Sequence, residues 1–256
     1  MNAALVIAHP GHELRVHHWL EVARPVVCVL TDGSGHHGSS RIATTGRILN
    51  DAGAPAGPIY GSLTDRALYK ALIHHDLALF QRLANALADA LVDGDIDLVA
   101  CDAIEGYNPA HDICRHVVDA ARVRASLRSG RPIAGYDFLL VGRPDAEAPV
   151  ADASPIRLRL DDAALDRKIA AARSYAELAA EVDAAIGTHG PEAFRTECLR
   201  PIGPVDLTAA TGGQPYYEQH GARRVEGGQY AEVIRFADHL RPVAVALAAH
   251  GVPARP

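Results

Sequence analysis

The sequence is poor in aromatic residues, methionine and cysteine. Aromatic side chains make up 5% of the 256 residues, with one tryptophan and one methionine. The four cysteines form no CxxC pair and are too few for a disulfide scaffold. Cys28 and Cys101 lie in apolar runs, where a free cysteine behaves as a small hydrophobic residue. We therefore expect a reduced, cytoplasmic protein.

The chain also lacks a basic stripe and a long hydrophobic run. Its net charge is −6 and its basic patches are short, which argues against a nucleic-acid partner. No run approaches the ~18 apolar residues that span a bilayer, and residues 1–9 lack the basic region of a signal peptide. A hydrophobic content of 48% is enough for one full core. We expect a single domain over residues 1–256, less regular from about residue 150.

Short apolar runs alternate with amphipathic segments, which predicts an α/β fold. A mostly parallel sheet with helices on both faces is typical of this alternation. Residues 188–222 show no regular pattern. The predicted strands are 3–8, 25–30, 96–101 and 132–141, and the predicted helices are 13–23, 40–52, 71–92, 111–127, 161–186 and 230–249.

Histidine is abundant, with 14 residues, and three of them stand at predicted strand ends. His9 closes the first strand, and His12 follows where a helix begins, so both rings can point to one side. His111 starts the helix after the third strand, and ligands collect at the carboxyl ends of parallel strands. These residues predict a site for zinc or another divalent transition metal. An ordinary hydrogen-bonded histidine at a strand end is the alternative.

The remaining histidines have plainer explanations. Neighbours on a helix point about 100° apart and cannot easily share an ion, which applies to residues 17–18 and 74–75. His116 faces away from His111 on the same predicted helix. The pair at residues 36–37, in a glycine-rich loop, is the best placed of these to approach the site.

Two motifs resemble those of the LmbE-like (PIG-L) N-acetylglucosaminyl de-N-acetylases. Residues 8–13, Ala-His-Pro-Gly-His-Glu, are similar to the Ala-His-Pro-Asp-Asp-Glu motif of that family. Residues 108–111, Asn-Pro-Ala-His, stand at the place of its His-Pro-Asp-His motif. The similarity covers residues 3–115 well and the rest weakly. It implies a Rossmann-like fold and a zinc ion, held here by His9, His12 and His111.

The resemblance also implies a reaction and a set of substrate-binding residues. The reaction would be hydrolysis of an N-acyl group, such as N-acetyl, on a small amino-sugar-like molecule through a metal-activated water. Arg41, Asp65 and Asn108 would contact the substrate, and His220 would stabilise the developing oxyanion. Arg41 and Asp65 could equally be ordinary surface charges. Association into a homo-oligomer stays open.

The departures from the family pattern matter as much as the matches. The general base of the family is Gly11 here, and its aspartate ligand is His12. Three neutral histidines would lower the pKa of a bound water further, but the leaving amine still needs a proton donor. The candidate carboxylates, in order, are Glu105, Glu13 and Asp112. The last two are also explained as favourable charges at a helix start.

The missing base supports a rival interpretation. The fold could be kept as a catalytically silent metal- or sugar-binding protein, or the three histidines could serve other metal-dependent chemistry. In the silent case, a carboxylate at residue 11 (Gly11→Asp) would be expected to restore weak deacetylase activity.

Overall fold

The computed structural model describes residues 1–35, 38–143, 154–208, 210 and 213–251. Its strands are β1 (Ala3–Ile7), β2 (Val26–Thr31), β3 (Ala56–Leu63), β4 (Leu98–Asp102), β5 (Ala134–Phe138), β6 (Ile156–Arg159) and β7 (Thr196–Pro201). They form a seven-stranded sheet in the order β3-β2-β1-β4-β5-β7-β6. β1 to β5 run parallel, while β7 pairs antiparallel with both β5 and β6. The predicted α/β fold with a mostly parallel sheet is confirmed.

Helices cover both faces of this sheet. They are α1 (His17–Ala23), α2 (Ile42–Ala52), α3 (Asp65–Ile73), α4 (Leu77–Asp93), α5 (Pro109–Ser129), α6 (Asp162–Ser174), α7 (Ala179–His189), α8 (Tyr216–Glu226) and α9 (Arg241–Gly251). β1 shows why two layers form: Ala4 and Val6 belong to the cluster with α4, α5 and α9, while Leu5 and Ile7 belong to the cluster with α1 and α2. Side chains alternate between the faces of a strand, so both faces of β1 are buried.

β1 and β4 lie side by side at the centre of the sheet. Every residue of both strands is buried, and their register pairs Val6 with Cys101. Their carboxyl ends therefore lie next to each other, with His9 just beyond β1 and Asp102 closing β4. This adjacency positions the candidate site.

Two predicted long helices are each broken in the structure. The segment predicted as one helix, 71–92, forms the end of α3, which begins before residue 71, and most of α4. A break at residues 74–76 separates the two helices. His75 has a φ of 50°, and the Asp76 side chain accepts a hydrogen bond from Leu79 N that caps α4. The predicted helix 161–186 divides at Tyr175, which has a ψ of 83° and is fully buried. Helical periodicity continues across both breaks, so the pattern alone hides them.

Several elements were absent from the sequence prediction. β3 contains two glycines and Pro58, which conceal it, but it is an edge strand, where proline is tolerated. β6 was not predicted, and β7 and α8 replace part of the segment 188–222 expected to be irregular. α2 begins at Ile42 with Arg41 at the N-cap, so the expected start at Ser40 is wrong by two residues.

Within the described ranges, no helix is both long and apolar enough to cross a membrane.

Candidate metal centre and its cavity

Three imidazole rings gather at the carboxyl ends of β1 and β4. His9 follows β1, His12 begins a 3-10 helix (His12–Val16), and His111 lies in the first turn of α5. The ring centroids of His9 are 5.3 Å from those of both His12 and His111, and the latter two are 4.5 Å apart. The sequence placed these three residues in one site, and the structure brings their rings together.

The local fold of each segment explains these positions. Gly11 has a φ of 105°, which turns the chain between the first two histidines. The Asn108 side chain caps α5 by accepting a hydrogen bond from Ala110 N at 2.9 Å, and Pro109 occupies the first turn. His111 is thereby fixed as the third residue of a capped helix.

The hydrogen bonds of His9 assign its tautomer. Thr31 Oγ1 donates to Ala8 O at 2.9 Å, so it accepts from His9 Nδ1 at 2.8 Å. An Asp65 carboxylate oxygen lies 3.0 Å from the same nitrogen. The proton therefore sits on Nδ1 and the lone pair on Nε2, which is buried and has no hydrogen-bond partner among the described residues.

His12 is held by a buried carboxylate. Its Nδ1 lies 2.9 Å from Asp102 Oδ2, which also accepts the backbone N–H of Ala8 at 2.8 Å. Burial raises the pKa of Asp102 to about 7, although the hydrogen bond from Ala8 opposes this shift. A carboxylate behind an imidazole is the arrangement that orients metal-binding histidines.

His111 is buried, and its Nδ1 makes no hydrogen bond within the described ranges. Burial lowers the pKa of His111 and of His12 well below the usual value, and the neighbouring histidines lower it further. Both rings are therefore neutral at pH 7. Neutral imidazole is the form that binds metal ions.

The donor set fits a divalent ion in chemistry and in spacing. Zn–N distances of about 2.0–2.1 Å in a tetrahedral site place ring centroids roughly 5 Å apart, close to the observed spacing. As the side chains stand, no group of three or more His, Cys, Asp or Glu residues in the described part of the chain is arranged to hold an ion. Binding therefore requires the rings to rotate so that their nitrogens converge.

Asp65 lies beside this cluster at the start of α3. One of its oxygens accepts the backbone N–H of Gly35 at 2.6 Å, and the other faces His9. Burial alone would raise the pKa of Asp65, but the contacts with His9, Thr31 and Gly35 hold that pKa below its usual value. Asp65 is thus an anion that supports His9. This role is compatible with the substrate binding predicted for Asp65.

A cavity of about 490 Å³ opens over the three histidines. Its volume lies within the range of small-molecule sites. Polar lining residues near the histidines are Arg41, Asp65, Tyr69, Tyr107 and Asn108. Apolar lining residues are Leu14, Leu140, Val141, Ile169, Ala172, Leu178, Val182, Ala185, Ile186 and Phe194. The charged residues Arg15, Lys168 and Glu181 also line it.

The three predicted proton-transfer carboxylates are engaged elsewhere. Glu105 accepts the backbone N–H groups of Leu140 and Val141 at 2.9 and 3.1 Å. Glu13 is fully buried and accepts hydrogen bonds from Gly11 N and Thr45 Oγ1, both at 2.8 Å. Asp112 Oδ1 accepts the N–H groups of residues 105 and 106. None of the three lines the cavity as far as the structure describes it.

Burial raises the pKa of all three of these carboxyl groups, to about 7 for Asp112. The backbone hydrogen bonds that each group accepts oppose the shift. Their immediate duty is to order the loops on which the site is built. Two other carboxylates, Asp65 and Glu181, line the cavity.

The predicted substrate residues Arg41 and Asn108 line the cavity, whereas the predicted oxyanion-stabilising residue His220 does not. Arg41 lines the cavity, and its Nε donates to Gly33 O at 2.7 Å. Asn108 also lines it and accepts a hydrogen bond from Tyr69 at 3.2 Å. His220 is not among the cavity-lining residues; its Nε2 accepts from Arg224 Nε at 3.3 Å. It packs against Tyr216, which stacks on the cavity-lining Tyr107.

A side chain at residue 11 would meet the Leu178 side chain and a strained backbone. A Cβ built on Gly11 would lie 2.4 Å from Leu178 Cδ1, and a φ of 105° is strained for any other residue. Leu178 thus occupies the space into which a side chain at residue 11 would extend. The effect of Gly11→Asp stays a prediction: the variant must accept the strained φ at residue 11 and displace the Leu178 side chain before a carboxylate can act there.

Sequence reasoning missed the supporting residues of the site. Asp102 was not among the residues predicted for the site, although a carboxylate directly after the apolar run 96–101 is a usable signal. Thr31 likewise closes β2, beside β1. Leu178 had no signal, because its contact with Gly11 crosses 167 positions of sequence (178 minus 11).

The other histidines lie away from the cluster. His17 begins α1, and residues 74–75 lie at the break between α3 and α4. His116 is buried on α5, and burial lowers its pKa to about 4. None of these lines the cavity within the described ranges. Residues 36 and 37 lie outside the described residues.

No protein-family model and no curated protein matches the chain. Several solved structures do match. The A40926 pseudoaglycone deacetylase is 19% identical, covers 78% of this chain and 96% of its own, and has a TM-score of 0.51. A deacetylase of teicoplanin biosynthesis is 13% identical over 80% of this chain and 99% of its own, with a TM-score of 0.54.

A zinc-inhibited form of the teicoplanin deacetylase, also 13% identical over 80% of this chain and 99% of its own, has a TM-score of 0.52. At these sequence identities the similarity establishes a shared fold. A shared fold does not by itself establish a shared activity.

Proposed function

We propose that the protein is a metal-dependent hydrolase that removes an acyl group from the nitrogen of an amino-sugar-like molecule. The observation that carries this proposal is the cluster of His9, His12 and His111 at the floor of the cavity. Two of these rings are backed by carboxylates. The structural likeness to deacetylases agrees with it.

The cluster would bind one divalent ion. When bound, the ion would polarise the acyl carbonyl and lower the pKa of water. Asp102 would keep His12 in the tautomer that presents Nε2, and Thr31 would do the same for His9. The resulting site would have three neutral ligands and two nearby carboxylates, of which Asp65 is the one on the cavity side.

The polar residues beside the histidines would orient the sugar. Arg41 and Asn108 remain our proposed contacts for hydroxyl groups, and Tyr69 joins them because its hydroxyl binds Asn108. His220 would reach the oxyanion only if the segment around Tyr107 and Tyr216 rearranged.

Proton transfer needs a group that faces the cavity. Hydrolysis adds the oxygen of water to the acyl carbon, breaks the C–N bond and delivers a proton to the leaving nitrogen. Glu181 lines the cavity and makes no ion pair within the described ranges. Glu105, in contrast, holds the backbone of residues 140–141. We therefore propose Glu181 ahead of Glu105, Glu13 and Asp112 for this role.

The test is release of amine and acetate from a panel of N-acetylated amino sugars. Zinc, manganese, cobalt and ferrous iron should each be titrated, since one structural relative is described in a zinc-inhibited form. We expect turnover with at least one metal and none in His12→Ala. Glu181→Gln should lower turnover about 10²- to 10⁴-fold, and Glu105→Gln much less. A metal-loaded protein that cleaves no substrate would overturn the proposal.

The second candidate is a binding protein without catalysis. The observation in its favour is Leu178, which covers Gly11 where a base would otherwise stand. This alternative predicts that N-acetylated sugars bind in calorimetry without any release of acetate. It also predicts that Glu181→Gln leaves their affinity unchanged.

A further inference from the structure

The cavity has an apolar wall that the hydrolysis of a simple N-acetyl group does not require. Leu178, Val182, Ala185 and Ile186 face it from α7 and the turn before it. These positions are spaced four, three and one residues apart, which places them on one side of a helix. Ile169, Ala172 and Phe194 extend the wall from α6 and from the turn after α7.

The stripe on α7 is not explained by core packing. No residue of α7 is buried, and Val182, Ala185 and Ile186 belong to no buried cluster within the described ranges. A surface helix normally turns such a stripe towards the core. Here the stripe faces the space above the histidines instead.

This wall reaches the proposed reaction centre. Leu178 lies against Gly11, between His9 and His12 in the chain. A group attached next to a bond held at the histidines would therefore meet Leu178 first. From there it could continue along α7, towards Val182 and then Ile186.

The wall suits an apolar group better than a second sugar. Of the polar side chains that could bind hydroxyls, Arg41, Tyr69 and Asn108 lie beside the histidines, and Glu181 is the charged residue that α7 contributes to the cavity. Lys168, the buried charge in the wall, is already occupied: its Nζ lies 2.8 Å from both Glu197 Oε1 and Arg15 O. A largely apolar pocket with a few polar groups at one place orients an amphipathic ligand.

We propose that the substrate carries an unbranched aliphatic chain, bound along Leu178, Val182 and Ile186. This inference rests on the proposed function for the identity of the bond that is cleaved. The presence of the apolar wall does not depend on the proposed function. The chain could be the acyl group that is removed or a group on the sugar that stays. Both sources offer the same apolar chemistry to the wall.

Turnover can be compared across chain length and chain position. N-acetyl-, N-butanoyl-, N-hexanoyl- and N-octanoylglucosamine place the chain on the acyl side, and octyl N-acetylglucosaminide places it on the sugar. Each methylene that the wall covers should raise kcat/KM about three- to fourfold. We expect one of the two eight-carbon compounds to exceed N-acetylglucosamine by at least about tenfold.

Variants on two faces of α7 locate the effect. Val182→Asn and Ile186→Asn should each reduce the ratio of kcat/KM between the preferred eight-carbon compound and N-acetylglucosamine by about tenfold. Ala184 is exposed on the opposite side of α7 and lines no part of the cavity, so Ala184→Asn should leave the ratio unchanged.

A binding experiment separates this inference from the proposed function. N-octyl- and N-ethylglucosamine contain no amide and cannot be hydrolysed, so calorimetry below the micelle concentration reports binding alone; octyl glucosaminide tests the other chain position. Tighter binding of an octyl compound, lost in Val182→Asn, supports the inference even if no amide is cleaved. The inference is overturned if the eight-carbon compounds are neither turned over faster nor bound more tightly than the short-chain compounds. It is also overturned if their preference is unchanged in both Val182→Asn and Ile186→Asn.

Discussion

The two walls of the cavity are built in opposite ways. The histidine wall stands on the ends of β1 and β4, where His9, Asp102 and His111 are buried and hydrogen bonds hold the side chains of His9 and Asp102. The wall from α7 is half-buried or exposed, and no residue of that helix is buried. Rigid strand ends are suited to hold reacting groups in fixed positions, whereas a loosely packed helix can vary with the ligand.

The difference also separates two kinds of side chain. Polar groups at the histidine wall depend on partners, because a buried polar atom without one is costly. The apolar side chains of α7 need no specific partner. Changes at the first wall should therefore alter metal binding and stability strongly, while changes at the second should alter ligand preference.

The largest effect should come from removing a ligand of the proposed ion. His12→Ala should lower metal affinity by more than the roughly 10- to 100-fold that loss of a supporting residue costs. Metal content by mass spectrometry and affinity by competition with a chelator measure this. His74→Ala, at the break after α3, is the matched control and should retain the ion. Full affinity in His12→Ala would remove His12 from the site.

Removing the carboxylate behind His12 should have the next largest effect. Asp102→Asn should lower metal affinity about 10- to 100-fold, because the tautomer of His12 is no longer fixed by a charge. The amide oxygen can still accept the N–H of Ala8, so the fold should persist by circular dichroism. Asp119→Asn, a change at an acidic partner of Arg115 remote from the cavity, should leave affinity unchanged. Equal losses in both variants would contradict a local role.

A pH titration of stability separates a buried histidine without a metal role from the three in the cluster. The pKa of His116 is about 4 in the folded chain against 6.5 in the unfolded one. As pH falls below 6.5, the unfolded chain takes up a proton that the folded chain does not, so stability falls. The loss reaches about 3 kcal/mol near pH 4, at about 1.36 kcal/mol per pH unit.

His116→Asn should remove the part of the pH dependence of unfolding free energy that comes from His116. The contributions of the other buried histidines should remain. Urea unfolding between pH 7 and pH 4 measures it. The same slope in wild type and variant would mean that His116 is accessible to protons in the folded state.

The contact between Gly11 and Leu178, where the two walls meet, predicts a smaller change in the free energy of unfolding. Gly11→Ala should destabilise the fold by about 1–3 kcal/mol, through its left-handed φ and its clash with Leu178. In the Leu178→Ala background the clash is gone but the strain remains, so the penalty should shrink without vanishing. Chemical denaturation of the four proteins of this cycle checks the coupling. Additive effects would show that Leu178 does not press on residue 11.

The smallest effect is expected on α7 itself. Val182→Ala should change the free energy of unfolding by no more than about 0.5 kcal/mol, as for a surface substitution. Leu87→Ala, in the buried face of α4, should cost about 2–5 kcal/mol. A large loss in Val182→Ala would mean that α7 supports the core, and the contrast between the walls would disappear.

Much of the sheet could be predicted because its central strands are continuous apolar runs. β1, β2 and β4 are buried on both faces, and that burial leaves an unmistakable pattern. β3 and β6 lie at the edges of the sheet, where the apolar pattern is weaker, and β3 also contains glycine and proline. The breaks at His75 and Tyr175 escaped because helical periodicity carries across a turn.

Local sequence pattern was enough to indicate which elements carry the three histidines. His9, His12 and His111 follow strands, and parallel strands point their carboxyl ends to one edge, so local pattern and sheet geometry suffice to group them. The surroundings of these three histidines depend on contacts between distant segments and could not be read from local pattern. Asp102 reaches His12 across 90 residues and Leu178 reaches Gly11 across 167, and neither contact leaves a periodic signal in the chain. Periodicity records which face of an element is buried, but the partner that buries it is set by packing between distant segments.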